Sequence, residues 1–449
     1  MKGVPEGVVS LAEALAAGQI TARAVVEHYF ERIAAENGRI NAYVLVLADQ
    51  ARAEADASDA RHKTGRILGP LDGVPTAVKD NIDVAGVATS GGIGHYRDAI
   101  AGSDAFVVER LRAAGMPILG KLNMHEGALG ATNDNPWFGR CENPHKAGYT
   151  PGGSSGGAGA AVAAGLCPVA LGTDTLGSVR VPAAYCGIAG LKPTCGVVST
   201  RGVMPLSWTL DHVGPLAPSV RDLMAVSKVL LAEDTGWARS RGMAKPARRS
   251  NPVRIGVPRE LAGVSLTAEV AAAFETALMR LRGQFAVSEI SLGNYDFAAM
   301  RREGLLISEV EAALHHADAL SADPAGFSET FRTMLRFGAS RPATRIAAAY
   351  CRIAEARLAA RRAFAEIDAI VMPTTPQPAF AFSEDVPVNQ ADLTAFANIV
   401  GCPAACTPMG HTADGLPLSI QVVMPEFRDE DVLHLAAHTE ALAKADPSE

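Results

Sequence analysis

The sequence predicts an α/β fold, and three observations carry that expectation. Short apolar runs of strand character alternate with helical segments along the whole chain. No internal repeat and no low-complexity tract breaks the alternation, which sets solenoid and fibrous classes aside. The 449 residues are 48% hydrophobic and 20% charged, so the chain can bury roughly 75% of its unfolded surface without staples. Length alone allows about three domains, although one large sheet can absorb the same chain.

Taken in order, Ser10-Leu-Ala-Glu13 reads as a capping box opening a short helix that stops at Gly18. Thr21 caps a second helix, with Val25, Val26, Tyr29, Phe30 and Ile33 at helical spacing as far as Gly38. The Ala-rich stretch 46–61 reads as a third. After the turn at Gly69-Pro70, a strand over 74–78 ends at Lys79-Asp80-Asn81. A helix over 104–114 leads to a strand at 116–119. A Gly/Ser loop at 152–157, a helix through Val162 and a buried strand at 168–171 follow. Residues 236–252 carry Arg239, Arg241, Lys245, Arg248 and Arg249 with no acid, and read as a solvated connector. Beyond it come a strand at 254–257, a helix over 267–282 and a strand at 285–290. A largely helical stretch over 303–366, strands at 369–372 and 416–423, and a final helix at 429–444 complete the chain.

A net charge of −7 argues against a general nucleic-acid binder, which needs a basic face. Seven scattered cysteines, with pairs such as Cys186/Cys195 and Cys402/Cys406, match neither a zinc site nor a redox CxxC, so reduced thiols in a cytoplasm are expected. The opening MKGVPEGVVSLAEAL lacks the apolar core of a signal peptide. Thr150 to Thr173 is 24 residues without a formal charge, long enough to span a bilayer. Seven of them are Gly, however, and Pro151 and Pro168 interrupt the run, so no membrane span is expected. Something else keeps charge out of this segment.

Two small-residue loops draw the chemistry: Pro151-Gly-Gly-Ser-Ser-Gly-Gly157 and Gly172-Thr-Asp-Thr-Leu-Gly-Ser-Val-Arg180. Three readings compete for the first. A phosphate cradle would need the Lys-[Ser/Thr] of a P-loop, which is missing. A nucleophile elbow fits Gly153-Ser-Ser155-Gly-Gly157 with Ser155 central, but demands a strand directly before it. A flexible linker fits the composition, yet this loop runs straight into a helix, a buried strand and a second loop of the same character.

With its surroundings, the segment resembles the amidase signature family of serine hydrolases. The resemblance rests on GGSSGGAGAAVAAG (152–165) and LGTDTLGSVRVPAAYCGIAGLKPT (171–194). Flanking agreement comes from Gly73-Val-Pro-Thr-Ala-Val-Lys-Asp-Asn81, Gly120-Lys-Leu-Asn-Met-His-Glu126, Leu210-Asp-His-Val-Gly-Pro215, Met372-Pro-Thr374 and Gly415-Leu-Pro-Leu-Ser-Ile-Gln421. It runs from about residue 10 to the last helix, with a signature core over about 70–215. The resemblance implies one large domain over 1–449, a mixed sheet covered on both faces by helices. It also implies Ser178 as nucleophile, Ser154 as proton relay after a cis peptide bond, and Lys79 as base. Backbone N–H groups of Thr175, Leu176, Gly177 and Ser178 would form the oxyanion hole, and Ala128 would contact the substrate amide. No metal or cofactor is implied.

The chemistry agrees. Amide hydrolysis needs an activated nucleophile, a proton shuttle and donors for the tetrahedral oxyanion. A Ser–Lys pair supplies the first two when burial keeps the lysine neutral. Leu176 departs from the family's usual Gly, which raises the question of whether that position needs positive φ and whether the side chain narrows the acyl pocket. Asp174 and Arg180 read as an ion pair bracing the loop, and His125 and His212 as structural or pocket-lining.

Two alternatives accompany an amidase acting on linear amides. One is the catalytic subunit of a partner-dependent amidotransferase or carbamoyl-type hydrolase complex; those relatives favour Met-Asp-Glu where this chain has Met124-His125-Glu126. The other is an α/β-hydrolase esterase using Ser155. A small-molecule amide, no nucleic acid, no membrane, a homodimer or a small accessory subunit, and a cytoplasmic setting complete the expectation. Pocket walls are expected from 125–137, 300–340 and 374–390. The apolar Gly127-Ala-Leu-Gly130 and residues 378–382 point to an uncharged acyl group.

Overall fold

In a computed structural model, which describes residues 3–242 and 253–445, eleven strands form one mixed sheet. They are β1 (Tyr43–Val46), β2 (Thr76–Lys79), β3 (Ile118–Leu122), β4 (Ala170–Asp174), β5 (Ala189–Lys192), β6 (His212–Ala217), β7 (Arg254–Pro258), β8 (Ala286–Ile290), β9 (Ala369–Pro373), β10 (Ala404–His411) and β11 (Pro417–Val423). Their order across the sheet is β1-β3-β2-β4-β6-β5-β10-β11-β9-β7-β8. Pairs β2–β3, β2–β4, β7–β8 and β7–β9 are parallel, and the other pairs are antiparallel. Every residue of β2, β4, β5, β6, β9 and β11 is buried. Strands buried without alternation have both faces covered, here by Val220–Leu230 and Asp429–Lys444, which touch each other, on one face and by Arg180–Tyr185 on the other. The expected α/β sheet is therefore present.

Several boundaries differ from expectation. The first helix is Val8–Ala16, opening two residues before Ser10, because Asp222 Oδ1 accepts the Val9 N–H from across the fold. The capping residue is thus distant in sequence. Thr21 does cap its helix, accepting from the Ala24 N–H, but that helix runs through Gly38 to Ile40 and closes on Asn41 in the left-handed region. Strands β1, β5, β6 and β10 and the helix Asp392–Val400 were not anticipated. Of the basic connector, the described part is exposed or half-exposed, as expected, and is also anchored. Arg239 donates to the Thr209 carbonyl, and Arg241 pairs with Glu426 at 2.7 Å and lies over the Phe427 ring. Lys245, Arg248 and Arg249 lie outside the described residues.

The uncharged run from Thr150 to Thr173 is an interior loop, the helix Gly156–Ala163 and most of β4; all of it except residues 163–165 is buried. Its glycines are set by close approach. A Cβ on Gly157 would lie 2.4 Å from the Asn123 carbonyl oxygen. Among the described residues, no helix is long and apolar enough to cross a membrane.

Candidate active site

Parallel β2 and β4 are neighbours, with Val78 opposite Leu171, so their carboxyl ends carry Lys79 and the 174–180 loop to the same edge. That is where open α/β sheets place ligands. Lys79 is fully buried; its Nζ donates to Ser154 Oγ at 2.7 Å and to Thr173 Oγ1 at 2.8 Å. Burial pushes its pKa down to about 7, against the opposing pull of the Asp211 and Asp174 charges. Among the described residues no carboxylate touches Lys79 Nζ, so near neutral pH a large share of it is the free amine and can accept a proton. Ser154 follows the cis Gly153–Ser154 peptide bond.

Ser178 is half-buried and lines a cavity of about 670 Å³, open mouth included, together with Gly153, Thr175, Leu176 and Gly177. None of the N–H groups of Thr175, Leu176, Gly177 and Ser178 finds an acceptor among the described residues. Four free donors on a tight turn can converge on a developing oxyanion. The turn is held from outside. Thr175 Oγ1 donates to Asp211 Oδ1 at 2.6 Å, Thr394 Oγ1 donates to the Leu176 carbonyl at 2.7 Å, and the Val179 N–H donates to Asp174 Oδ2. Asp211 is itself fixed by the Leu206 and Ser207 N–H groups; burial raises its pKa to about 6.

The departure at Leu176 resolves simply. Leu176 keeps an ordinary φ, and the left-handed demand falls on Gly177 at 141°. A Cβ there would lie 2.2 Å from Thr394 Oγ1. The Leu176 side chain packs against Gly304, where an added Cβ would sit 2.6 Å from Leu176 Cδ2. The helix Phe297–His315 thus makes room for the leucine, which also lines the cavity. Leu176→Ala is expected to raise kcat/KM for amides two or more methylenes longer than the best native substrate by about tenfold or more, in a chain-length series.

Ala128, at φ 58°, lines the cavity with Leu129, Gly130 and Ala131. The wall also draws on Arg301, Leu305 and Ser308 of one helix face, and on Pro387, Val388, Gln390 and Ala391. Of the two apolar segments that suggested an uncharged acyl group, only Gly127–Gly130 contributes. Ala379 and Phe380 pack instead with Val181 and Tyr185, so that expectation loses half of its basis.

Ser155 has another task. Its Oγ donates to the Thr173 carbonyl and accepts the Thr173 N–H, fully buried at the start of the Gly156–Ala163 helix with no strand before it. Asp174 and Arg180 form the anticipated brace. His125 is half-buried, desolvation pushes its pKa down to about 4, and it lies near Thr132. His212 is tied through Nδ1 to the Leu210 carbonyl. Thr394 was not anticipated; Thr173 lies in the 171–194 motif and Arg301 in the 300–340 stretch expected to supply wall, but neither was singled out. Asp211 lay inside a quoted segment, but its contact with Thr175 had no sequence signal.

The amidase family model matches residues 24–433. The chain belongs to the amidase family. Among relatives, a glutamyl-tRNA(Gln) amidotransferase subunit from Thiobacillus denitrificans is 38% identical, covering 95% of each chain. A solved structure described as a crystal structure of amidase is 33% identical with a TM-score of 0.88, covering 97% of this chain and 99% of that one. Another, described as a vestigial protein complex that reveals the evolutionary origins of an s-triazine catabolic enzyme, is 32% identical with a TM-score of 0.89 over 97% of both. As an amidase-family hydrolase, the chain has the single mixed sheet of these structures.

Proposed function

We propose that this amidase-family member hydrolyses a carboxamide C–N bond, giving a carboxylate and ammonia or an amine, through an acyl-enzyme on Ser178. The observation that supports it most is the buried Lys79 amine, with its pKa near 7, bonded to Ser154 Oγ beside a cavity where Ser178 meets four unpaired N–H groups. Neutral Lys79 takes the Ser154 proton as Ser154 takes that of Ser178. The Ser178 oxygen adds to the amide carbon, and the oxyanion is held by the N–H groups of residues 175–178. The C–N bond then breaks, and the proton returns through Ser154 to the leaving nitrogen. Water repeats the relay to release the acid.

Because only unprotonated Lys79 acts as base, kcat/KM is expected to fall about tenfold per pH unit below an apparent pKa of about 7. In Lys79→Ala both the activity and this acid limb should go. A limb that persisted in the variant would remove Lys79 from the mechanism.

A second reading sets the same chemistry inside a complex, with this chain as the catalytic subunit. The relatives named as amidotransferase subunits favour it over a freestanding enzyme, and so does the likeness to a solved complex. In the other direction, neutral His125 stands where those subunits favour Asp. Ammonia release from simple amides by the purified chain alone supports the freestanding form. Turnover that appears only with a co-expressed small subunit supports the complex. Seven free cysteines suit a reducing compartment, and we place the protein in the cytoplasm.

A further inference from the structure

The cavity beside Ser178 holds a charge that hydrolysis does not use. Arg301 is the one charged side chain on its wall among the described residues. The side chain is 13% exposed, and its Nε donates to Asp392 Oδ1 at 2.5 Å. Both Nη nitrogens lack an acceptor among the described residues, so the open end of the fork remains available. Arg302 and Asp296 also act on Asp392 with opposite signs, so what the cavity is offered is the unpaired edge of the Arg301 fork rather than a net charge around it. On the same wall Gln390, 4% exposed, donates through Nε2 to the Pro387 carbonyl, while its Oε1 is buried without a partner among the described residues. A buried acceptor left unpaired is costly, and a donor brought by a ligand would relieve it.

Resting on the amidase reading above, we propose that Arg301 and Gln390 form the far end of the acyl subsite, and that the substrate is a short amide carrying a carboxylate there. The planar guanidinium offers two parallel N–H donors, the geometry a carboxylate fills. Gln390 Oε1 takes an N–H next to that carboxylate, as a ureido or acylamino group would supply. Leu176 lines the same cavity and limits the spacer to a few atoms. Arg301, Gly304, Leu305 and Ser308 share one face of the helix Phe297–His315, so the charge and the width of the subsite come from a single element.

The test pairs turnover with binding. Malonamate, succinamate and ureidoacetate are compared with neutral butyramide, and succinate binding is measured by calorimetry on Ser178→Ala protein. Carboxylate-bearing amides are expected to be preferred by about 10- to 100-fold in kcat/KM. Arg301→Met should collapse that ratio and abolish succinate binding, whereas Arg301→Lys should retain part of both. Thermal melts confirm that each variant is folded. Ureidoacetate should lose more than succinamate in Gln390→Leu. A neutral preference in the wild type, or equal losses on both substrate types in Arg301→Met, would overturn the subsite while leaving the amidase reading intact. Succinate binding that depends on Arg301, in a protein that turns over no amide, would uphold the subsite and sink the amidase reading.

Discussion

Ser178→Ala is expected to lower amide turnover by about 10⁴-fold or more, with no change in the folded state. Removing the proposed nucleophile leaves only what binding and the proposed oxyanion donors contribute. Ser178 makes no side-chain hydrogen bond in the described chain, so the packing loses little with its oxygen. Ser155→Ala separates the two candidate nucleophiles. Its Oγ holds both backbone groups of Thr173, whose side chain in turn holds Lys79, so a modest loss of stability and of rate is expected there. Labelling by a fluorophosphonate probe should vanish in Ser178→Ala and persist in Ser155→Ala. The reverse pattern would move the nucleophile to Ser155. Ser154→Ala should fall between them, because Lys79 would then have lost its link to the attacking oxygen.

The proposed catalytic set could be read because Ser154 and Ser178 sit in two long contiguous motifs and Lys79 in a short flanking one. The α/β class was legible because apolar runs and helical segments alternate visibly. What stayed hidden depends on partners far along the chain. Strands β5, β6 and β10 carry Gly190, Gly214, Pro215, Pro408 and Gly410, residues that read locally as loop. Neighbouring strands make them strand: β6 lies between β4 and β5, and β10 between β5 and β11. The same holds for the site. Thr173 points to Lys79 only once β2 and β4 are paired. Arg301 reaches the cavity only because a helix more than 110 residues past Ser178 in sequence lies across the loop. Nothing in its own segment distinguishes it from Arg302. The Leu176 departure shows the converse, since the residue that accommodates it, Gly304, is an unremarked glycine in a helical stretch.

Removal of the Arg180 charge should have the largest effect on stability. Arg180 and Asp174 are both fully buried, joined by Nε–Oδ2 and Nη2–Oδ1 contacts of 3.1 Å each. Burial alone would raise the Asp174 pKa, but the charge and hydrogen bonds of Arg180, with Asn398, hold it well below the usual carboxylate range. Arg180 also donates to Gln421 and Asn398, tying the 174–180 loop to β11 and to the helix Asp392–Val400. Arg180→Met leaves Asp174 as a buried charge without its main counter-ion, a change that costs roughly 3–5 kcal/mol. Against a typical total of about 5–15 kcal/mol, that is enough to reduce folded protein in the cell. Asp174 Oδ2 also takes the Val179 N–H, so turnover should drop along with stability. Adding Asp174→Asn to Arg180→Met removes the stranded charge while keeping an oxygen for Val179. The double variant should therefore unfold at a higher denaturant concentration than Arg180→Met alone. If the two losses simply added, the pair would be acting as two independent polar contacts, and the brace would owe its strength to Gln421 and Asn398 instead.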